Sequence, residues 1–144
     1  MRIEEKIRAN AELTIRMLGP ISDVANFGYN SDSVKWVEGF IERQRVRSDL
    51  SKEEMQQLVS NLGSFLGECV IACFGGEWRQ HGPTWGVAFD ENNMAFPFSK
   101  VEKQFAGGME ESVDGWFRTI PIVFEKYIKR PQSPERKPWW KLWR

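Results

Sequence analysis

The chain has 144 residues, of which 41% are hydrophobic and 28% charged, with 20 basic and 20 acidic side chains. This length and composition are typical of one globular domain that buries a core without disulfides. The charge is unevenly distributed, with 9 basic and 10 acidic groups in residues 1–57, 5 and 9 in residues 58–128, and 6 and 1 in residues 129–144. Only the C-terminal end therefore carries a positive field that could attract nucleic acid, which makes nucleic acid an unlikely partner.

The N-terminal third of the chain is predicted to be helical. Its first residues are charged and lack the apolar stretch and cleavage site of a secretory signal, so we expect a cytoplasmic protein. Strong helix formers over residues 3–18 predict a helix that stops at Gly19-Pro20. Ser31 or Asp32 is predicted to cap a second helix that runs to about Arg47 with one apolar stripe.

The third predicted helix has the best-marked start in the sequence. Ser51 and Glu54 fit a capping box, and Gly75-Gly76 ends the helix. Nine apolar residues lie on one broad face, namely Met55, Leu58, Val59, Leu62, Phe65, Leu66, Cys69, Val70 and Cys73. This pattern predicts a long, central, buried helix, in which Gly63 and Gly67 allow another element to approach closely. We expect a core helix, because its apolar stretch falls short of the roughly 20 residues that a membrane span needs.

A small sheet is predicted after this helix, because the hydrophobic period changes from helical to alternating at Glu77. The alternation predicts a three-stranded antiparallel meander with turns at His81-Gly82-Pro83 and at residues 90–93. The third strand is predicted to include Phe96 and Phe98. Pro97 indicates that this strand lies at an edge of the sheet or ends there.

Two more helices are predicted towards the C-terminus. Ser99 is expected to cap a short helix over Lys100 to Ala106, and another helix is expected from about Ser112 to Lys129, bent or divided at Pro121. The fold class is therefore α+β: N-terminal helices, a long central buried helix, a three-stranded meander and a C-terminal helix. Residues 1–130 form one domain in this interpretation, and residues 131–144 form an aromatic, basic tail.

Four short segments between the third helix and the fourth form a recognisable series, namely Leu66-Gly67-Glu68, Gly75-Gly76-Glu77-Trp78, Trp85 to Phe89, and a Pro-Phe-Ser-Lys-Val step at Pro97 to Val101. In this series the chain resembles small bacterial α+β proteins of unknown function, in which an apolar helix that ends in Leu-Gly-Glu is followed by a Gly-Gly-Glu-Trp-like turn and a hairpin. The resemblance covers about a third of the chain and implies a fold; some such families are immunity or accessory proteins beside bacterial toxins.

Few residues offer catalytic or metal-binding chemistry. The only histidine, His81, lies in a predicted turn, and the two cysteines are expected to be buried thiols, so we predict neither a metal site nor a cofactor. Glu77, Arg79 and His81 alternate along one strand, and with Glu68 from the preceding helix they could line a polar cleft. A small enzyme that uses these four residues is the alternative to a non-catalytic protein.

The tail carries the main functional prediction. Its candidate binding residues are Trp139, Trp140, Lys141, Trp143 and Arg144. Indole rings gain stability by leaving water, so the tail is expected to rest on its own domain, on a second copy or on another protein. Tryptophans beside basic residues also suit an anionic membrane surface, although the prolines at 131, 134 and 138 disfavour a long amphipathic helix. We therefore predict a non-catalytic binding or accessory protein, with peripheral membrane association as the alternative.

Overall fold

The computed structural model describes residues 2–126, so the tail and the end of the last predicted helix lie outside the described residues. The elements in this part of the chain are α1 (Ile3–Leu18), α2 (Ser31–Arg45), α3 (Lys52–Phe74), β1 (Glu77–His81), β2 (Thr84–Ala88), β3 (Met94–Ala95), α4 (Pro97–Gly107) and α5 (Val113–Val123). Short 3-10 turns follow α1 and α4. The predicted α+β class is confirmed.

The central helix is α3, and its predicted capping box is present. The Glu54 amide donates to Ser51 Oγ at 3.0 Å, and the Ser51 amide donates to Glu54 Oε1 at 3.1 Å. Further along, the helix buries Phe65, Leu66 and Val70. The antiparallel helix α1 packs against it, and Thr14 Oγ1 donates to the Asn61 carbonyl at 3.0 Å. The helix therefore forms the middle of the core, as its broad apolar face predicted.

The length of α3 corrects one expectation. With 23 residues, it is the one helix in the described part of the chain that is long and apolar enough to cross a membrane by length and composition. However, 56% of its most apolar window is buried inside the structure, as in the core helix of a soluble protein. We therefore interpret α3 as a core helix.

Two glycines on α3 let aromatic rings approach its backbone. A Cβ at Gly67 would lie 2.0 Å from the Trp78 ring, and a Cβ at Gly63 would lie 2.3 Å from the Phe98 ring. The two rings also touch each other, with centroids 5.7 Å apart. The predicted close approach is confirmed, and it brings β1 and α4 onto the same stretch of α3.

The sheet is the predicted antiparallel meander, with β2 between β1 and β3. Trp78 pairs with Val87 across the first two strands, and Val87 pairs with Ala95 across the second two. Because β3 has only two residues, the third strand is shorter than predicted, although it does lie at an edge. The chain turns into α4 immediately after it.

The start and end of α2 differ from the prediction. Asn30, and neither Ser31 nor Asp32, caps the helix: its side-chain oxygen accepts a hydrogen bond from the Ser33 amide at 2.9 Å. Asn30 has the extended backbone that a cap needs, whereas Ser31 is already helical. The helix ends at Arg45 and not at Arg47.

The last two helices also have different limits. Helix α4 begins at Pro97 without a side-chain cap, so the predicted Ser99 cap and the strand assignment of Phe96 and Phe98 are wrong. Proline suits the first turn of a helix because its φ is already fixed near helical values. A backbone N–H in that turn has no acceptor within the helix, so proline loses no hydrogen bond by lacking one. Helix α5 ends at Val123, well before Lys129, with Pro121 in its last turn.

Candidate binding surfaces

Three polar residues of β1, namely Glu77, Arg79 and His81, lie on one face of the strand. Arg79 Nη2 donates to Glu77 Oε1 at 2.9 Å, and Arg79 Nη1 donates to the Asp90 carbonyl at 3.4 Å. His81 is exposed, and its ring lies 5.6 Å from the Phe96 ring. The structure therefore places Glu77, Arg79 and His81 on one side of the sheet, as their alternation predicted.

Glu68, the fourth residue of the predicted polar cleft, does not lie on the same side of β1 as Glu77, Arg79 and His81. The indole Nε1 of Trp78 donates to Glu68 Oε2 at 2.8 Å, and Trp78 points from the opposite face of β1 towards α3. Glu68 accordingly satisfies a buried indole N–H beneath the sheet, on the side away from Arg79. The four residues of the proposed polar cleft do not converge on one point.

The two cysteines differ in exposure. Cys69 is buried, and burial raises its pKa well above the ordinary value of a thiol. The prediction that both cysteines are buried is wrong for Cys73, which is exposed. It is the next-to-last residue of α3 and lies beyond the buried part of that helix. Partial burial of its sulfur beside the Tyr29 carbonyl still raises the pKa of Cys73. Among residues 2–126, no group of three or more His, Cys, Asp or Glu side chains could hold a metal ion.

An open cleft of about 370 Å³ lies beside the polar face of β1, and we call it the acidic cleft. Its lining consists of Gly76, Glu77, Arg79, Ala88, Phe89, Asp90 and Glu91. Asp90 accepts hydrogen bonds from the Asn93 side chain at 2.8 Å and from the Asn92 amide at 2.8 Å, and these bonds lower its pKa. The cleft has a negative net charge. However, the Glu77 carboxylate is paired with Arg79, and the Asp90 carboxylate already accepts hydrogen bonds from Asn92 and Asn93 in the same turn.

The described chain ends next to a second cleft, of about 330 Å³, which we call the lysine groove. It is lined by Met94, Ala95, Phe96, Ser99, Lys100, Lys103, Trp116 and Phe124. Phe124 also packs on Phe89, with ring centroids 4.9 Å apart. The last described residues therefore lie between the acidic cleft and the lysine groove.

An open cleft with a mostly apolar lining lies towards the N-terminal end of α3, and we call it the apolar groove. Its volume is about 430 Å³, and its apolar lining consists of Met17, Leu18, Ile21, Phe40, Leu50 and Leu58. Met17 and Ile21 are 54% and 66% exposed, so a large part of this surface faces water. Gln44, Arg47, Glu54, Gln57 and Asn61 are the polar residues of its lining.

Sequence reasoning missed the apolar groove. Met17 lies at the end of α1 and Ile21 in the 3-10 turn that follows it, and nothing in the sequence pattern showed that these two side chains stay uncovered. The predicted binding residues Trp139, Trp140, Lys141, Trp143 and Arg144 lie outside the described residues.

No protein-family model, no curated protein and no solved structure matches this chain. The resemblance to small bacterial proteins of the immunity or accessory kind stays a prediction.

Proposed function

We propose that this protein is a non-catalytic binding protein that associates with another protein, or with a second copy of itself, through the tail at residues 131–144. The observation that carries the proposal is the division of charge and aromatic surface along the chain. Residues 2–126 have 14 basic and 19 acidic side chains, whereas the tail, residues 131–144, has 4 and 1 together with three of the seven tryptophans. The tail thus combines Trp and Arg, two residue types that are enriched among the strongest contacts in protein interfaces.

The described part of the chain supports binding better than catalysis. A catalytic site needs titratable groups that converge on one reacting atom. Glu68 lies on the α3 side of β1, Arg79 and Glu77 neutralise each other on the other side, and His81 is exposed at the strand end. This arrangement is suited to holding the sheet on α3.

A protein surface also fits the charges better than a polyanion does. The body, residues 2–126, has a net charge of −5, so an anionic membrane or a nucleic acid would repel it while attracting the tail. A folded protein surface with a few carboxylates and an apolar pocket meets no such penalty.

The test compares the full chain with a variant in which Trp139, Trp140 and Trp143 are all alanine. Tagged forms of both are used to capture proteins from the source cells, and their molar masses are measured by light scattering. We expect the wild type to enrich a specific protein, or to show a larger mass, and the variant to lose it. Lys141→Gln with Arg144→Gln serves as the control that separates charge from indole contacts: it should weaken capture mainly at low salt.

Two results would contradict the proposal. One is an identical set of captured proteins together with an identical molar mass for the wild type and the tryptophan variant. The other is tryptophan-dependent sedimentation with anionic vesicles in the absence of any protein partner, which would favour the membrane alternative.

A further inference from the structure

We infer that the apolar groove is a binding site for tryptophan side chains, and that its occupant in the free protein is residues 139–144 of the same chain. The inference rests on the proposed function, because it takes the tail as the interacting segment and names the surface that receives it. It assigns a ligand chemistry, indole rings next to basic groups, to a groove formed by α1, α2 and α3.

The chemistry of the groove suits indole rings. Its floor consists of aliphatic, thioether and aromatic side chains, and Met17 and Ile21 remain more than half exposed. An indole ring offers about 150–250 Å² of surface for burial, and a methionine side chain adapts its shape to such a ring. The side chain of Gln57, whose nitrogen donates to Asn61 Oδ1 at 3.0 Å, also lines the groove and offers its oxygen as an acceptor for an indole N–H.

The tail is long enough to reach the groove. Phe117, in the middle of α5, packs on Phe74 with centroids 5.0 Å apart, so α5 passes the C-terminal end of α3, while the groove includes Leu58 near the other end. The distance from Phe74 to Leu58 along the helix axis is about 24 Å at the helical rise per residue. Residues 127–138 can span at most about 40 Å, which is sufficient to place Trp139 in the groove.

Docking within one chain is favoured over docking between chains. A tethered segment meets its own body at an effective concentration of the order of millimolar, far above usual protein concentrations. The body at −5 and residues 127–144 at +5 also attract each other at low ionic strength.

The other two clefts suit the tail less well. The lysine groove presents Lys103 and Lys100, the latter paired with Glu111 at 2.7 Å, and has no carboxylate among its lining residues to attract a basic segment. The acidic cleft has four charged residues among its seven lining residues, and its apolar side chains are only those of Ala88 and Phe89. Two of its three carboxylates are already engaged, that of Glu77 by Arg79 and that of Asp90 by the amides of its own turn.

The experiment uses the full chain with the photo-cross-linker p-benzoylphenylalanine in place of Leu142, which leaves all three tail tryptophans intact. After irradiation, the products are separated by mass and the cross-linked residues are mapped by mass spectrometry. We expect a product of monomer mass with cross-links to residues 13–21 and 50–61. Met17→Lys should reduce the yield about tenfold, the effect of losing one strong interface contact. Met109→Lys, at a methionine of similar exposure elsewhere (56% against 54%), should leave it unchanged.

A second measurement leaves the body intact. Hydrogen exchange of residues 50–61 and 13–21 should be faster in the variant with Trp139, Trp140 and Trp143 all replaced by alanine than in the wild type. Cross-links to residues 76–91, cross-links at dimer mass, equal losses in both lysine variants, or unchanged exchange would each overturn the inference. If the tail fails to cross-link to the body while the tryptophan variant still loses a protein partner, the inference fails and the proposed function stands.

Discussion

Gly63 and Gly67 determine how closely the rest of the fold approaches α3. Side chains at these positions would overlap the rings of Phe98 and Trp78, which themselves hold α4 and β1 in place. Each glycine costs helix stability of up to about 1 kcal/mol relative to alanine. The contacts with the two rings more than offset this cost, so the glycines are requirements of packing.

Gly67→Ala should therefore destabilise the protein even though alanine is the better helix former. We expect a loss of about 1–3 kcal/mol in the free energy of unfolding, because the new Cβ would lie 2.0 Å from the Trp78 ring and the core would be overpacked. Gly115→Ala is the matched control in α5, where the nearest atom would be 3.5 Å away and a small gain is expected. Urea denaturation measures both; a neutral or stabilising Gly67→Ala would contradict the packing argument.

Glu68 provides a second test at the level of one side chain. Glu68→Ala leaves the buried indole N–H of Trp78 without its acceptor, which should cost about 1–3 kcal/mol of unfolding free energy. Glu68→Gln keeps a side-chain oxygen at that position and should cost clearly less. Thermal or urea unfolding of the two variants distinguishes them, and equal destabilisation would show that the hydrogen bond is not what holds Glu68 in place.

Among the elements, α3 depends most on a local signal, the capping box that starts it. The Ser51 amide and hydroxyl lower the pKa of Glu54, the amide contributing more. A carboxyl group whose pKa is lower in the folded state stabilises the protein above its unfolded pKa. This contribution is lost as the pH falls through the lower, folded value.

Ser51→Ala should lower the free energy of unfolding by about 1 kcal/mol at neutral pH. Glu54→Gln should be less stable than the wild type at neutral pH, and the difference should shrink as the pH falls below about 4.5. Glu53→Gln, in the same first turn but outside the capping box, is the control. Urea titrations at several pH values measure these effects, and a Glu54→Gln difference that is independent of pH would contradict the linkage.

At the scale of the whole molecule, the sequence predicted the parts of the fold that depend on local patterns. The capping box at Ser51, the glycine spacing on α3 and the turn at Asp90 are local signals, and all three are present in the structure. The prediction at Ser99 was wrong, because Pro97 starts a helix without a side-chain cap. Helix α5 ends at Val123, next to Phe124, which packs on Phe89 just after β2, a contact between residues far apart in sequence.

The apolar groove shows why candidate sites are harder to predict than helices. Met17, Phe40 and Leu58 come from three different helices and meet only when those helices pack. Their spacing indicates that each helix has an apolar face, but the part of each face that stays open depends on crossing angles and helix ends. The tail, in contrast, was evident from its composition, because its tryptophans and basic residues are contiguous in sequence.

The different environments of the two cysteines have a practical consequence for distance measurements on this protein. Cys73 is exposed near the end of α3, while Cys69 is enclosed in the core. A maleimide dye would therefore attach at one native position, Cys73, without any engineered thiol. The reaction would be slower than at a cysteine with an ordinary pKa, because the pKa of Cys73 is raised. Energy transfer from that dye to an acceptor at the C-terminus would report how far the chain end lies from the C-terminal end of α3.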